Sequence, residues 1–232
     1  MIVLEARDLV KSYRGGDNSL ITVLGGVNLQ VSRGEMVAIV GASGVGKSTM
    51  LHLLGALDRP TRGYVVLGGV AVNGLADDDL AALRNRTVGF VFQFHHLLRE
   101  FSALENVMMP MRIAGWETKR ARIRAEELLA RVGLVGRMLH RPSELSGGEQ
   151  QRTAVARALA VDPTVLLADE PSGNLDKANS ELLHDLFAEL ARDLEIAMVV
   201  VTHNRSLAAR ANRALLLESG KLRDTDAHEV MA

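Results

Sequence analysis

The chain contains no cysteine, which excludes disulfide bridges and thiolate metal sites. Aromatic residues make up only 3% of its 232 positions against 47% hydrophobic residues, so aliphatic side chains must do most of the packing. Charge of either sign is nearly cancelled: 27 Lys and Arg against 28 Asp and Glu leave a formal net charge of −1, which argues against a broad basic surface for nucleic acid. No apolar run approaches the ~18 residues that a bilayer-spanning helix needs. The opening stretch MIVLEARDL is too acidic and too short for a signal peptide. There is no internal repeat and no low-complexity linker. A globular chain remains, long enough to bury a sizeable core, with a composition that suits the cytoplasm.

Local pattern divides the chain. Strand-like segments are expected at Val3–Val10, Thr22–Val31, Met36–Val40, Tyr64–Leu67, Val88–Phe92, Val165–Ala168, Ala197–Val201 and Ala214–Leu217. Several are continuous apolar runs, as expected of strands covered on both faces of an α/β sheet. A helix is expected over Met50–Leu57, and the texture from Phe94 to Ala160 is helical, with Ala103–Met111, Thr118–Val132 and Gly147–Ala160 rich in helix formers. This reads as a helical subdomain (94–160) inserted into an α/β core (1–93 and 161–232).

Gly41-Ala-Ser-Gly-Val-Gly46-Lys47-Ser48-Thr49 matches the phosphate-loop pattern GxxxxGK[ST] between an apolar strand and a helix. Glycines let consecutive backbone N–H groups turn inward around phosphate oxygens, which then sit at the positive end of the helix. The candidate nucleotide contacts are Gly41, Ser43, Gly44, Gly46, Lys47, Ser48 and Thr49. Lys47 would reach the β- and γ-phosphates of a bound nucleotide and the Ser48 hydroxyl would ligate Mg²⁺. Val165-Leu-Leu-Ala168-Asp169-Glu170 is an apolar strand ending in two carboxylates. Asp169 suits the Mg²⁺ shell, and Glu170 suits a base that orients and deprotonates the attacking water.

Leu145-Ser146-Gly147-Gly148-Glu149-Gln150-Gln151-Arg152 closely resembles the ABC signature motif. A hydroxyl, free N–H groups and a helix dipole converge at Ser146, Gly147 and Gly148, which is anion-binding chemistry on physical grounds. Other elements are similar to that family position by position. Gln93 resembles the glutamine that senses Mg²⁺ and the attacking water. Ser172–Asp176 resembles the D-loop. His203 resembles the histidine at the γ-phosphate, and Tyr13 the aromatic that stacks on adenine. The resemblance spans nearly the whole chain. It implies a P-loop NTPase (RecA-like) core with an antiparallel β-subdomain and an inserted α-helical subdomain. It also implies a homodimer, closed on ATP, in which Ser146 and Gly148 of one subunit cap the γ-phosphate held by Lys47 of the other.

Gly89–Leu98, Phe101–Val107, Leu54–Pro60 and Arg141–Leu145 resemble more specifically the ATPase of lipoprotein-releasing (LolD-type) transporters. That resemblance implies integral-membrane partner subunits, peripheral attachment through them to the cytoplasmic face of a bacterial inner membrane, and no nucleic-acid partner. ATPases of macrolide or peptide exporters, the FtsE-type cell-division ATPase and a soluble ABC ATPase are the alternatives. Ser172 replaces the usual Thr, and Asn204 stands where many relatives carry Asp; neither removes a phosphate or metal ligand. His95 and His96 diverge as neighbours, without cysteine to complete a metal site; they read as a structural pair or as partner-facing surface. Met108, Met109 and Met111 fit core filling or an adaptable docking face. Lys119, Arg120, Arg122 and Arg124, followed by Glu126 and Glu127, read as a solvated helix face.

Overall fold

The computed structural model describes residues 1–16 and 18–225. Two long strands come first, β1 (Ile2–Arg14) and β2 (Leu20–Ser32), paired antiparallel through several register shifts. β3 (Met36–Val40) buries every side chain. The chain then turns through the phosphate loop into α1 (Lys47–Leu54), which starts three residues earlier than its apolar pattern predicts. Gly46 at φ 107° occupies the N-cap, so Lys47, Ser48 and Thr49 already lie in the first turn. The helix stops at Gly55, where any Cβ would fall 2.0 Å from Cζ of Phe90.

β4 (Arg62–Leu67) and β5 (Val70–Ala71) complete a sheet in the order β2-β1-β4-β5, antiparallel throughout. α2 (Asp77–Thr87) leads into β6 (Val88–Phe92). Its first turn carries Asp77, Asp78 and Asp79 and its last Arg84 and Arg86, charges that complement the helix dipole at both ends. α3 (Ala103–Ile113), α4 (Thr118–Arg131) and α5 (Gly147–Ala158) follow and pack on one another. Their shared core holds Leu104, Val107, Met111, Leu128, Leu129 and Val155. Met111 is fully buried and Met108 packs against the same core, which settles those two as core filling.

β7 (Val165–Asp169), α6 (Lys177–Leu194), β8 (Ala197–Val201), the short α7 (Arg205–Ala208), β9 (Arg213–Glu218) and β10 (Lys221–Thr225) finish the described chain. The second sheet has the order β10-β9-β3-β8-β7-β6 and is parallel except for the β9–β10 pair. The wholly buried β3 and β8 are the continuous apolar strands that such a sheet requires. Because these strands run in parallel, the segments following β3, β6, β7 and β8 all leave from one edge. Four candidate site segments therefore emerge side by side, as ligand sites do at the carboxyl ends of open α/β sheets.

Among the described residues no helix is long and apolar enough to cross a membrane. The basic face of α4 is solvated as expected: Lys119, Arg120 and Arg122 are exposed, Arg122 pairs with Glu126 at 2.8 Å, and Arg120 stacks over Trp116.

Candidate active site

A cleft of about 570 Å³ opens where those segments leave the sheet, lined by Ser43, Gly44, Gly46, Lys47, Ser48 and Thr49 on one side and by Gln93, Asp169 and Glu170 on the other. Its formation follows from backbone constraints. Gly41 (φ 152°) lies so near the neighbouring strand β9 that a Cβ would sit 2.5 Å from the Leu217 carbonyl oxygen. Gly44 (φ 79°) faces open space, which leaves its backbone accessible to a ligand. Lys47 reaches back over the loop, and Nζ donates to the carbonyls of Gly41 and Ala42, both at 2.9 Å. The ammonium is thus already aimed across the loop, with backbone N–H groups and a helix N-terminus beside it. That is a cradle for phosphate oxygens.

Opposite the loop, β7 ends at Asp169 and the chain turns sharply at Glu170, a non-glycine residue held at φ 46°. Its N–H donates to the Val201 carbonyl at 2.9 Å, fixing the strained turn to the end of β8. The Glu170 Oε2 atom accepts from the backbone N–H of His203 at 3.2 Å and lies 2.9 Å from His203 Nδ1. Both contacts fall on one oxygen of a carboxylate that lines the cleft. Neutral His203 must then carry its hydrogen on Nδ1, leaving Nε2 as an acceptor. Gln93 is held on the other flank: Nε2 donates to Asn174 Oδ1 at 3.0 Å, and Asn174 Nδ2 returns a bond to the Gln93 carbonyl at 3.2 Å. Side-chain oxygens of Ser48, Gln93 and Asp169 share the cleft, a hard-oxygen donor set that fits Mg²⁺.

The cleft does not gather every candidate. Tyr13 is exposed on β1, its hydroxyl donating to Asp58 at 3.2 Å, and it does not line the cleft. Ser146, Gly147 and Gly148 begin α5 and are also absent from the lining. Ser146 caps that helix: Oγ accepts from the Glu149 N–H at 3.3 Å, while Glu149 accepts from the Ser146 N–H at 2.8 Å. The Ser146 backbone bond is the largest influence holding the Glu149 carboxyl below its usual range, and the Arg137 guanidinium at 2.9 Å adds to it. Ser146 and Gly147 are exposed at this cap. One chain therefore presents a phosphate cradle and, elsewhere on its surface, the capped and exposed start of α5.

His95 and His96 do diverge: His95 is half-buried, whereas His96 stacks edge-on against Phe92 and lines the cleft. Burial, chiefly, keeps the His95 imidazole below its ordinary pKa. No group of three or more His, Cys, Asp or Glu side chains that could together hold a metal ion occurs among the described residues. Sequence reasoning missed three contributors. Val23, from β2, walls the cleft. Asn174 clamps Gln93, and Gln151 donates from α5 to the Phe92 carbonyl at 3.1 Å. Asn174 and Gln151 stand inside recognisable motifs, but no local signal pairs them with residues 81 and 59 positions away.

The family model for the ABC transporter matches residues 24–173, and the chain belongs to that family. It is 53% identical over 220 residues to the lipoprotein-releasing system ATP-binding protein LolD of Geobacter metallireducens, covering 95% of this chain and 97% of that one. A protein of the same name from Xylella fastidiosa is 52% identical over 98% of this chain and 95% of its own. Among solved structures, a dimeric ATP-binding cassette, MJ0796, in a post-hydrolysis state bound to ADP and Pi superposes with a TM-score of 0.88 at 38% identity, over 97% of this chain and 98% of the other. The fold is that of an ABC ATPase.

Proposed function

We propose that this chain is the ATP-binding and ATP-hydrolysing subunit of a lipoprotein-releasing transporter, working on the cytoplasmic face of an inner membrane through integral-membrane partners. The observation that carries the enzymatic part is the cleft that brings Lys47 and Ser48 opposite Asp169 and Glu170. The cargo rests on the near-full-length likeness to LolD proteins. Residues 1–93 and 161–232 make the nucleotide-binding core and 94–160 a helical subdomain that carries the signature cap.

In this reading Lys47 and the loop N–H groups hold the phosphates. Glu170 takes a proton from water as the water oxygen attacks the γ-phosphorus and the β–γ bridging P–O bond breaks, giving ADP and phosphate. Ser48, Asp169 and Gln93 would hold Mg²⁺, which supplies neutralisation of phosphate charge when bound. His203 fixes the Glu170 carboxylate through its backbone N–H and Nδ1. Tyr13 supplies a stacking surface for the base. Ser146, Gly147 and Gly148 of a second copy close over the γ-phosphate, because the same chain's cap lies outside its own cleft.

The test is recovery of tagged Glu170→Gln protein from detergent-solubilised native membranes in the presence of ATP. Integral-membrane subunits co-purifying with lipoproteins support the reading. A cell-division or drug-exporter complex keeps the ATPase and changes its cargo; failure to recover any membrane subunit, beside a working control, overturns it.

A further inference from the structure

Tyr13 does not line the phosphate cleft, but the β1–β2 register puts it across from Ile21, two residues from Val23, which does. Tyr13 is exposed, yet its ring is not free to turn. The phenol hydroxyl donates to Asp58 Oδ2 at 3.2 Å, and the Lys11 ammonium lies over the ring, 5.0 Å from its centroid. The same ammonium donates to Asp58 Oδ1 at 2.7 Å and to the Arg59 carbonyl at 2.8 Å. One carboxylate thus holds the hydroxyl of the ring with one oxygen and, with the other, the cation stacked on that ring.

Burial acts against the Asp58 charge, but the bonds from Lys11, the Arg59 N–H and Tyr13 together hold its carboxyl below the usual range. It is therefore ionised and can only accept. Lys11 is largely buried, so this is not the fully solvated kind of ion pair that contributes little. The turn that carries Asp58 is itself fastened on both sides. Behind it, the Leu57 and Asp58 N–H groups donate to the His52 carbonyl of α1 at 2.8 and 3.3 Å. Ahead of it, the Thr61 N–H donates to the Val10 carbonyl at 2.8 Å, and Thr61 Oγ1 accepts from the Ser12 N–H at 3.1 Å. Since α1 begins at Lys47, a helix and then a pinned turn connect the phosphate loop to the Tyr13 ring.

We propose that Asp58 is a positioning residue for the nucleotide base, holding the Tyr13 ring, with Lys11 over it, at a fixed place relative to the phosphate loop. The base then meets a platform that is ordered before it arrives. The proposal rests on the ATPase reading given above and on the stacking role which that reading gives Tyr13. Immobilising a side chain on binding commonly weakens affinity by about two- to tenfold, and a tethered ring escapes that loss. An untethered ring would incur it, while Lys47, Ser48 and the loop N–H groups stayed as they are.

The test is equilibrium titration of the whole chain, in the presence of Mg²⁺, with ATP and with inorganic tripolyphosphate, which has the phosphates and no base. Wild type is compared with Tyr13→Phe, Asp58→Asn and the double variant. Tyr13→Phe keeps the ring and removes only the tether at an exposed position, so it decides the matter even if Asp58→Asn folds poorly. Each single variant should bind ATP about two- to tenfold more weakly than wild type, with tripolyphosphate affinity unchanged. The double variant should be no weaker than the weaker single, because both remove the same bond.

Unchanged ATP affinity in Tyr13→Phe overturns the proposal. So does equal weakening towards both ligands, which is what a merely structural role would give. Phe94 also lines the cleft and is exposed, on the wall that carries Gln93. If Phe94→Ala abolished the preference for ATP over tripolyphosphate while Tyr13→Phe kept it, the base would lie on that wall and the proposal would fall. Wild type that binds tripolyphosphate as tightly as ATP keeps the phosphate site and overturns this proposal alone. Wild type that binds neither ligand overturns the ATPase reading, and the proposal with it.

Discussion

The carboxylate of Glu170 and the imidazole of His203 meet at 2.9 Å, and the same Glu170 oxygen also accepts the His203 backbone N–H at 3.2 Å. Two bonds to one oxygen orient the carboxylate without consuming the other, which is left to the cleft. Since the pair joins the ends of β7 and β8, it ties the candidate base to the rigid sheet and removes it from the helical part of the molecule.

Replacing Glu170 by Gln keeps shape and hydrogen-bonding capacity but removes the basic oxygen. Nucleotide binding should persist while hydrolysis falls by about a hundredfold or more, the range of general-base contributions. Phosphate release assayed beside nucleotide affinity checks this; rapid turnover would assign the base elsewhere.

Lys47→Ala removes a charge-assisted donor at the phosphate loop, with its bonds to Gly41 and Ala42. Charge-assisted hydrogen bonds contribute about 1.5–3 kcal/mol, which corresponds to roughly 10- to 100-fold weaker nucleotide binding. Equilibrium titration with a fluorescent nucleotide reads this directly, and unchanged affinity removes Lys47 from its assigned role.

Ser146→Ala should have two separable effects. Loss of the N-cap costs about 1 kcal/mol, a melting shift of about 2–4 °C in a chain of this size. Hydrolysis should drop much further than that, with affinity of the single chain for nucleotide preserved, because the cap lies outside the chain's own cleft. Equal losses in affinity and rate would place Ser146 in the chain's own nucleotide site.

Gly55→Ala is a pure packing test. Gly55 has φ −90°, open to any residue, but the added methyl would lie 2.0 Å from Phe90 Cζ and 2.8 Å from Leu167 Cδ1. Overpacking of this kind costs about 1–3 kcal/mol. Thermal unfolding should show a lower midpoint, and an unshifted midpoint would mean that Phe90 has room to move.

His184 supplies a pH dependence. It is fully buried on α6, with Nε2 2.9 Å from Ser172 Oγ, and burial holds its pKa below the ordinary value despite opposing Glu181 and Asp185; Arg210 adds to the lowering. The unfolded chain therefore takes up a proton near pH ~6.5, before the folded chain does. Stability from this group is complete above that pH and is lost as pH falls towards the folded value. Between about pH 7.5 and 5.5 the melting temperature of wild type should fall more than that of His184→Gln. Parallel curves would show that His184 does not contribute.

Much of this was legible in the sequence because the chemistry is local. β3, β6 and β8 have the bounds that their apolar runs announce, and the phosphate loop lies between a strand and a helix as its motif demands. α1 begins at Lys47 because a glycine, and not the first apolar residue, sets the N-cap. α6 escaped notice although Asp176 caps it and Leu183, Leu186, Phe187 and Leu190 give it a buried stripe. α2, α7 and the two-residue β5 escaped as well. β10 could not be read at all: Lys221–Thr225 has no apolar period and is a strand only because β9 pairs with it. In the site, residue identities were readable but long-range bonds were not. Nothing local in Arg157 indicates that it reaches His96, 61 positions earlier.

The separation of the phosphate cradle from the Ser146–Gly148 cap has a kinetic meaning. On the proposed reading, a site completed by a second copy turns over at a rate set by how often two chains meet, so dilute free chain would idle. Anchoring two copies on one membrane complex raises their effective concentration to about the millimolar range without any new contact. Fuel use would thereby be confined to assembled machines, with stoichiometry itself acting as the throttle.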